Sequence, residues 1–293
     1  MFTGSITALV TPFRDGKLDE AALKRLIEFQ IENGTNGLVP CGTTGESATL
    51  SYEEHNSVIE LTIKTAARRV PVIAGTGSNS TAETIQLTEH AKKSGADAAL
   101  LITPYYNKPT QQGLYEHYKK VAESVDIPII LYNVPGRTSV NMLPETVARL
   151  SGIKNIVGIK EATGDLKQVS DIIELSREGF VVLSGDDFTT LPLLAIGGHG
   201  VISVTSNIAP KEMSGMVSAF FSGRTDDAKE LHFKLQSLHR VMFIETNPIP
   251  VKTALAVMGM IEEEFRLPLT RMSDANRAKL TNILKSFGLG LRS

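Results

Sequence analysis

The chain is short of cysteine, of net charge and of long apolar runs, and each shortage removes a class of protein. A single cysteine, Cys41, among 293 residues excludes an internal disulfide and fits a reducing compartment. The formal net charge is −2, with no long run of one sign. Neither nucleic acid nor an anionic membrane is therefore an expected partner. No apolar stretch approaches the ~20 residues that cross a bilayer. The opening Met1-Phe2-Thr3-Gly4-Ser5 lacks the basic start and apolar run of a secretory signal. A cytoplasmic protein is the resulting expectation. The six histidines are scattered, with no His-x-x-x-His pair, so metal-dependent hydrolysis finds little support and no metal is expected. Cys41 has no readable base beside it and suits packing better than chemistry.

What is present is an alternation of short apolar runs and amphipathic stretches. With 42% hydrophobic and 21% charged residues, the chain has ordinary globular composition and ample length for a large core. Strands are expected at residues 5–10, 37–40, 70–74, 98–102, 128–132, 155–161, 180–183 and 200–204. Helical patterns lie between them, one opened by a capping box at Ser51 and Glu54. Eight strand–helix units in strict alternation argue a closed (β/α)₈ barrel. An open doubly wound sheet would want a glycine-rich turn after the first strand. Here that turn is Thr11-Pro12-Phe13-Arg14, and Gly75-Thr76-Gly77-Ser78-Asn79-Ser80 is only a partial match. From about Thr225 the strands stop, and 226–243, 248–260 and 273–287 read as helices. The expected division is a barrel over 1–224 and a helical C-terminal appendage over 225–293.

In such a barrel the chemistry lies at the C-terminal ends of the strands. Those ends supply Thr43, Thr44, Glu46, Tyr105, Tyr106, Tyr132, Arg137, Lys160, Asp186, Asp187, Thr205 and Asn207. The stretch Asn155-Ile156-Val157-Gly158-Ile159-Lys160-Glu161 is a buried-strand pattern that ends on a lysine, where desolvation favours the nucleophilic neutral amine. Taken alone, Lys160 reads better as a rim lysine that snorkels to water or pairs with Glu161. Asp186-Asp187 reads as a helix cap with first-turn charge. Singly, Tyr132, Thr43 and Tyr106 have packing or capping explanations, and Arg137 reads as a surface arginine. Together, an amine, three hydroxyls and an arginine at one barrel mouth suit imine chemistry on a keto acid, with hydroxyl proton shuttles and a carboxylate clamp.

At this point the motifs resemble a known family. Gly42-Thr43-Thr44-Gly45-Glu46, Tyr132-Asn133-Val134-Pro135 and Gly158-Ile159-Lys160 are similar to those of the pyruvate-dependent class I aldolases of the dihydrodipicolinate synthase and N-acetylneuraminate lyase superfamily. The likeness runs from Ser5-Ile6-Thr7-Ala8 through Asn247-Pro248-Ile249-Pro250-Val251-Lys252. Gly136-Arg137-Thr138 and Thr103-Pro104-Tyr105-Tyr106-Asn107 resemble the synthase branch. The resemblance implies a Schiff-base condensation of pyruvate with L-aspartate 4-semialdehyde to 4-hydroxy-tetrahydrodipicolinate, the first committed step of diaminopimelate and lysine biosynthesis. The alternative is a relative using the same lysine on a sugar-acid aldehyde. A barrel that only binds a keto acid is a third reading, disfavoured by the complete lysine, tyrosine and threonine set.

The resemblance further implies residue roles. Lys160 would be the Schiff-base nucleophile. Tyr132, Thr43 and Tyr106 would relay protons, with Tyr106 reaching in from a neighbouring subunit. Thr44, with the backbone at Gly185 and Ile202, would shape the pyruvate carboxylate pocket, and Arg137 would hold the second substrate. No cofactor is required, because the imine is the electron sink. The family forms homotetramers built as dimers of dimers, and some members are inhibited by L-lysine. The matching effector positions are Ser47, Ala48, His55, Asn79, Glu83 and Tyr105, with Tyr52 where some inhibited members carry another histidine.

Overall fold

A computed structural model describes residues 2–291. Eight parallel strands form one sheet: β1 (Gly4–Ala8), β2 (Gly37–Val39), β3 (Ile73–Gly75), β4 (Ala98–Ile102), β5 (Ile129–Asn133), β6 (Ile156–Glu161), β7 (Val181–Ser184) and β8 (Gly200–Ser203). The hydrogen-bonded order is β2-β1-β8-β7-β6-β5-β4-β3. The last seam, between β2 and β3, is held by a single bridge, Leu38 with Val72. Pro40 and Pro71 flank that seam and have no N–H to give a ladder. Their carbonyls still accept, from Gly75 N at 2.9 Å and Leu38 N at 3.0 Å. The result is the expected (β/α)₈ barrel.

The helices between strands are α1 (Glu20–Glu32), α2 (Tyr52–Ala66), α3 (Thr81–Ser94), α4 (Gln111–Ser124), α5 (Pro144–Ser151), α6 (Leu166–Leu175), α7 (Thr190–Ala195) and α8 (Pro210–Phe221). Their starts follow from local chemistry. Asp19 caps α1 by accepting from Ala22 N, and the Ser51–Glu54 capping box opens α2. The last helices are α9 (Thr225–Met242), α10 (Ile249–Val257) and α11 (Asp274–Phe287). The turn at 224–225 separates α8 from α9. One apolar cluster runs across it, from Leu26 and Val201 of the barrel to Leu235, Ala254 and Leu280. Among the described residues no helix is long and apolar enough to cross a membrane.

The pleat sorts each strand by alternate residues. Ile6, Leu100, Ile130, Leu183 and Ile202 fill the barrel interior. Leu101, Leu131, Ile159 and Val182 face the helices instead.

Three details depart from the expected elements. β1 ends at Ala8 rather than at residue 10. Asn207 takes over from the ladder there: its Nδ2 donates to Ala8 O at 2.8 Å and to Val204 O at 2.9 Å, and its Oδ1 accepts from Val10 N at 3.3 Å. Asn207 is thus a plug between two strand ends. A small hairpin, Phe13–Arg14 with Lys17–Leu18, turns on Asp15 and Gly16, both at positive φ. The Asp-Gly pair signalled that turn, but strands of two residues leave no periodic pattern. Finally, Asp187 does lie in the first turn of a short helix after Asp186, but it is more than a first-turn charge. It is buried, and its carboxylate accepts from Ser203 Oγ at 2.5 Å, from Val204 N at 3.2 Å, and from Thr205 N and Oγ1 at 3.0 Å each. Asp187 therefore ties the turn after β7 to the end of β8.

Candidate active site

Lys160 and Tyr132 are register partners on adjacent strands, so the pleat aims both side chains into the barrel. The Lys160 Nζ lies 4.2 Å from the Tyr132 ring centroid, and Lys160 is only 6% exposed. Glu161 faces the other way, accepting from Asn133 Nδ2 at 3.0 Å and Thr163 N at 2.8 Å. Pairing of Lys160 with its sequence neighbour is thereby ruled out. Burial lifts the Glu161 carboxyl above its ordinary range, against the pull of those hydrogen bonds.

Space for the lysine stem comes from Gly185. A Cβ there would come within 3.1 Å of Lys160 Cε and 2.5 Å of Ala162 Cβ, so a side chain would displace the lysine. The next residue, Asp186, has its carboxyl raised by burial, an effect opposed by the Lys160 charge. Ile202 is fully buried in the barrel interior.

The turn after β2 carries the two threonines. It is bracketed by Cys41 and Glu46, two non-glycine residues at φ 55° and 53°, a conformation that surrounding contacts must hold. Gly45 N donates to Gly42 O, and Thr11 Oγ1 donates to Gly45 O at 2.7 Å. Thr43 lies on the cavity wall. Thr44 is buried, and its hydroxyl accepts from Asn247 Nδ2 at 3.0 Å. Burial pushes the Cys41 thiol far up, which removes it as a nucleophile.

Arg137 sits on a one-turn helix, Pro135–Thr138, directly after β5. Its head is exposed, and its Nη2 donates to Asn247 O at 3.1 Å. Asn247 thus touches both Thr44 and Arg137. The sequence reading assigned this residue no role beyond opening a stretch that carries the family likeness, because its partners lie far away in the chain.

Tyr106 behaves differently. It is 90% exposed, at φ 73°, on a loop held by Asn79 Nδ2 to Tyr105 O and Asn107 Nδ2 to Asn79 O. Within one chain it is not brought to the cavity that Tyr132 and Thr43 line.

That cavity, of about 540 Å³, is lined by Thr43, Tyr132, Arg137, Thr138 and Asn247 and also by Ser47, Ala48, His55, Glu83 and Tyr105. Lys160, Thr44, Gly185 and Ile202 are not on its wall, and neither is Asn79. His55 is buried, with its pKa lowered chiefly by desolvation, and its Nε2 meets Gly75 O at 2.9 Å. That contact requires Nε2–H, so Nδ1 is left as an acceptor, without a partner among the described residues. Glu83 accepts from Ser78 Oγ at 2.7 Å. The Tyr52 hydroxyl pKa is raised by desolvation and by the nearby Glu83. No group of three or more His, Cys, Asp or Glu among the described residues is placed to hold a metal ion.

Comparison with known proteins adds to this geometry. The model of the dihydrodipicolinate synthetase family matches residues 1–287. A curated 4-hydroxy-tetrahydrodipicolinate synthase from Thermodesulfovibrio yellowstonii is 63% identical over 289 residues, covering 99% of both chains. The chloride-inhibited dihydrodipicolinate synthase of Acinetobacter baumannii, solved with pyruvate, superposes with a TM-score of 0.97 at 52% identity, covering 99% of this chain and 100% of that one. The enzyme of Cyanidioschyzon merolae, solved with lysine bound, gives 0.96 at 40% identity over 98% and 99%.

Proposed function

The chain belongs to the dihydrodipicolinate synthetase family, and from that premise we propose how its site performs the family's reaction. The enzyme condenses pyruvate with L-aspartate 4-semialdehyde to 4-hydroxy-tetrahydrodipicolinate, a lyase-type step of diaminopimelate and lysine biosynthesis. The observation that carries the mechanism is the buried Lys160 against Tyr132 at a barrel mouth.

Lys160 Nζ attacks the keto carbon of pyruvate, and water leaves as the protonated imine forms. The imine withdraws electrons, so a methyl proton departs and an enamine results. The enamine carbon bonds to the aldehyde carbon of the second substrate, whose oxygen takes up a proton. The amine of the semialdehyde then displaces Lys160 from the imine carbon and closes the ring. Each step moves a proton, and hydroxyls can both donate and accept. Tyr132 and Thr43 fill that role in this chain. Tyr106 joins them from a second copy, a reading supported by its 90% exposure in the single chain. That contact needs at least a dimer, and the assembly proposed from the family resemblance is a homotetramer built as a dimer of dimers.

Thr44 and the backbone at Gly185 and Ile202 shape the pyruvate carboxylate pocket. Arg137 takes the semialdehyde's carboxylate through paired hydrogen bonds, and its exposed head at the cavity edge supports this. L-Lysine is the proposed effector, with Glu83 holding its ammonium end and His55, Ser47, Ala48, Asn79 and Tyr105 completing the site. The test is turnover with L-aspartate 4-semialdehyde, compared with a sugar-acid aldehyde. Activity confined to the sugar-acid aldehyde would overturn the acceptor assignment.

A further inference from the structure

Lysine is rarely buried, and Lys252 is the largest charged side chain with no exposure at all. It stands on α10, a helix whose first seven residues, Ile249 through Leu255, are all buried. Its Nζ donates to Glu46, likewise buried. The ammonium also lies 4.3 Å from the Phe13 ring centroid and 5.2 Å from that of Phe265. Arg266 N donates to the second Glu46 oxygen at 3.3 Å. The Arg266 guanidinium in turn forks onto Glu54 of α2, with both contacts at 2.5 Å. Nothing in the proposed reaction uses this pair.

Its position relative to the site gives it a role. Glu46 closes the turn that carries Thr43 and Thr44, in a left-handed conformation that its locked carboxylate maintains. Lys252 lies one helical turn beyond Pro248, the neighbour of Asn247, and its N–H donates to Pro248 O at 3.0 Å. The ion pair therefore clamps the segment bearing Asn247 to the threonine turn. The two ends of Asn247 differ in what else supports their partners. The threonine turn has independent anchors, Thr11 Oγ1 to Gly45 O and Gly45 N to Gly42 O. Arg137 is exposed, and the one hydrogen bond of its side chain among the described residues goes to Asn247 O.

We propose that Lys252 and Glu46 are positioning residues that set Arg137 for the acceptor aldehyde, acting through the Asn247 carbonyl. This rests on the reading that Arg137 binds the acceptor's carboxylate. Loosening the clamp frees Arg137 first, while Lys160 and Tyr132, on their strands, stay in place.

The experiment uses the neutral pair Glu46→Gln/Lys252→Met, which removes both charges with little change in shape. Glu46→Asp, which shortens the reach by one methylene, is the second variant should the first not fold. Arg137→Ala runs beside them. Circular dichroism checks the fold, steady-state kinetics give both KM values, and borohydride trapping gives the half-saturation for pyruvate. The expected result is a KM for the semialdehyde raised about tenfold or more, with the pyruvate half-saturation changed less than about threefold. A folded variant with both values unchanged, or with both raised together, overturns the proposal. An unchanged semialdehyde KM in Arg137→Ala overturns its premise instead, which keeps the two failures apart.

Discussion

Replacing Asp187 by alanine and by asparagine gives a sharp test of how the barrel mouth is held. The buried carboxylate accepts from two backbone N–H groups, Val204 and Thr205, and from two hydroxyls, Ser203 and Thr205. In the alanine variant the Thr205 hydroxyl still has His239 Nδ1 at 2.9 Å, whereas Ser203 Oγ only accepts from Ser206 N at 2.8 Å, so its proton loses its acceptor. The two N–H groups lose theirs as well. At about 1–3 kcal/mol per orphaned buried donor, the cost is roughly 3–9 kcal/mol. Asparagine keeps one oxygen for Val204 and Thr205 but loses the charge and the acceptor for Ser203 Oγ, so about 1–3 kcal/mol is expected. In a chain of 293 residues two-state unfolding is not assured, so amide hydrogen exchange at Val204 and Thr205 is the direct assay. Even a 2 kcal/mol local loss speeds exchange roughly 30-fold. Equal and small effects from both substitutions, or unchanged exchange at these amides, would refute the account of Asp187.

Tyr132→Phe keeps the ring against Lys160 but removes the hydroxyl, and kcat should fall by about 100-fold or more; a loss under fivefold would remove Tyr132 from the relay. His117 is held by burial at a pKa of about 4, down from 6.5. The unfolded chain therefore takes up this proton first, and stability falls as pH drops from about 6.5 towards 4, by up to ~3 kcal/mol from this group. His117→Phe should flatten that part of the stability curve, and an unaltered slope contradicts the assignment. L-Lysine should inhibit turnover, and Glu83→Ala should abolish the inhibition while sparing kcat; a flat lysine titration into the millimolar range sinks the effector site.

Much of this architecture is legible in the chain because it is written locally. The 98–102 run is a strand with those limits, and the Ser51–Glu54 box opens α2 as read. Both signals, β-branched or apolar runs and capping residues, act within a few positions. Tyr132 and Lys160 end neighbouring strands in the sequence, and the parallel register makes them partners. What escaped is non-local or finely local. Glu46 and Lys252 are 206 residues apart, and only the odd lysine inside Pro250-Val251-Lys252-Thr253-Ala254-Leu255 hinted at a buried charge. Asp186-Asp187 read as a cap with first-turn charge, and Asp187 does stand in the first turn of a short helix. Here tertiary donors from β8 and its turn outbid the helix end. Tyr106 shows the opposite limit: its loop is recognisable, yet a single chain leaves the ring in solvent.

The central claim is that Lys160 forms an imine with pyruvate. The direct measurement is intact and peptide mass spectrometry after borohydride reduction with pyruvate, on the wild type and on Lys160→Ala. One reduced pyruvate per chain, carried on the peptide containing Lys160 and absent from the variant, is the predicted result. No adduct on a folded wild-type protein, or an adduct that persists in Lys160→Ala, would contradict the account.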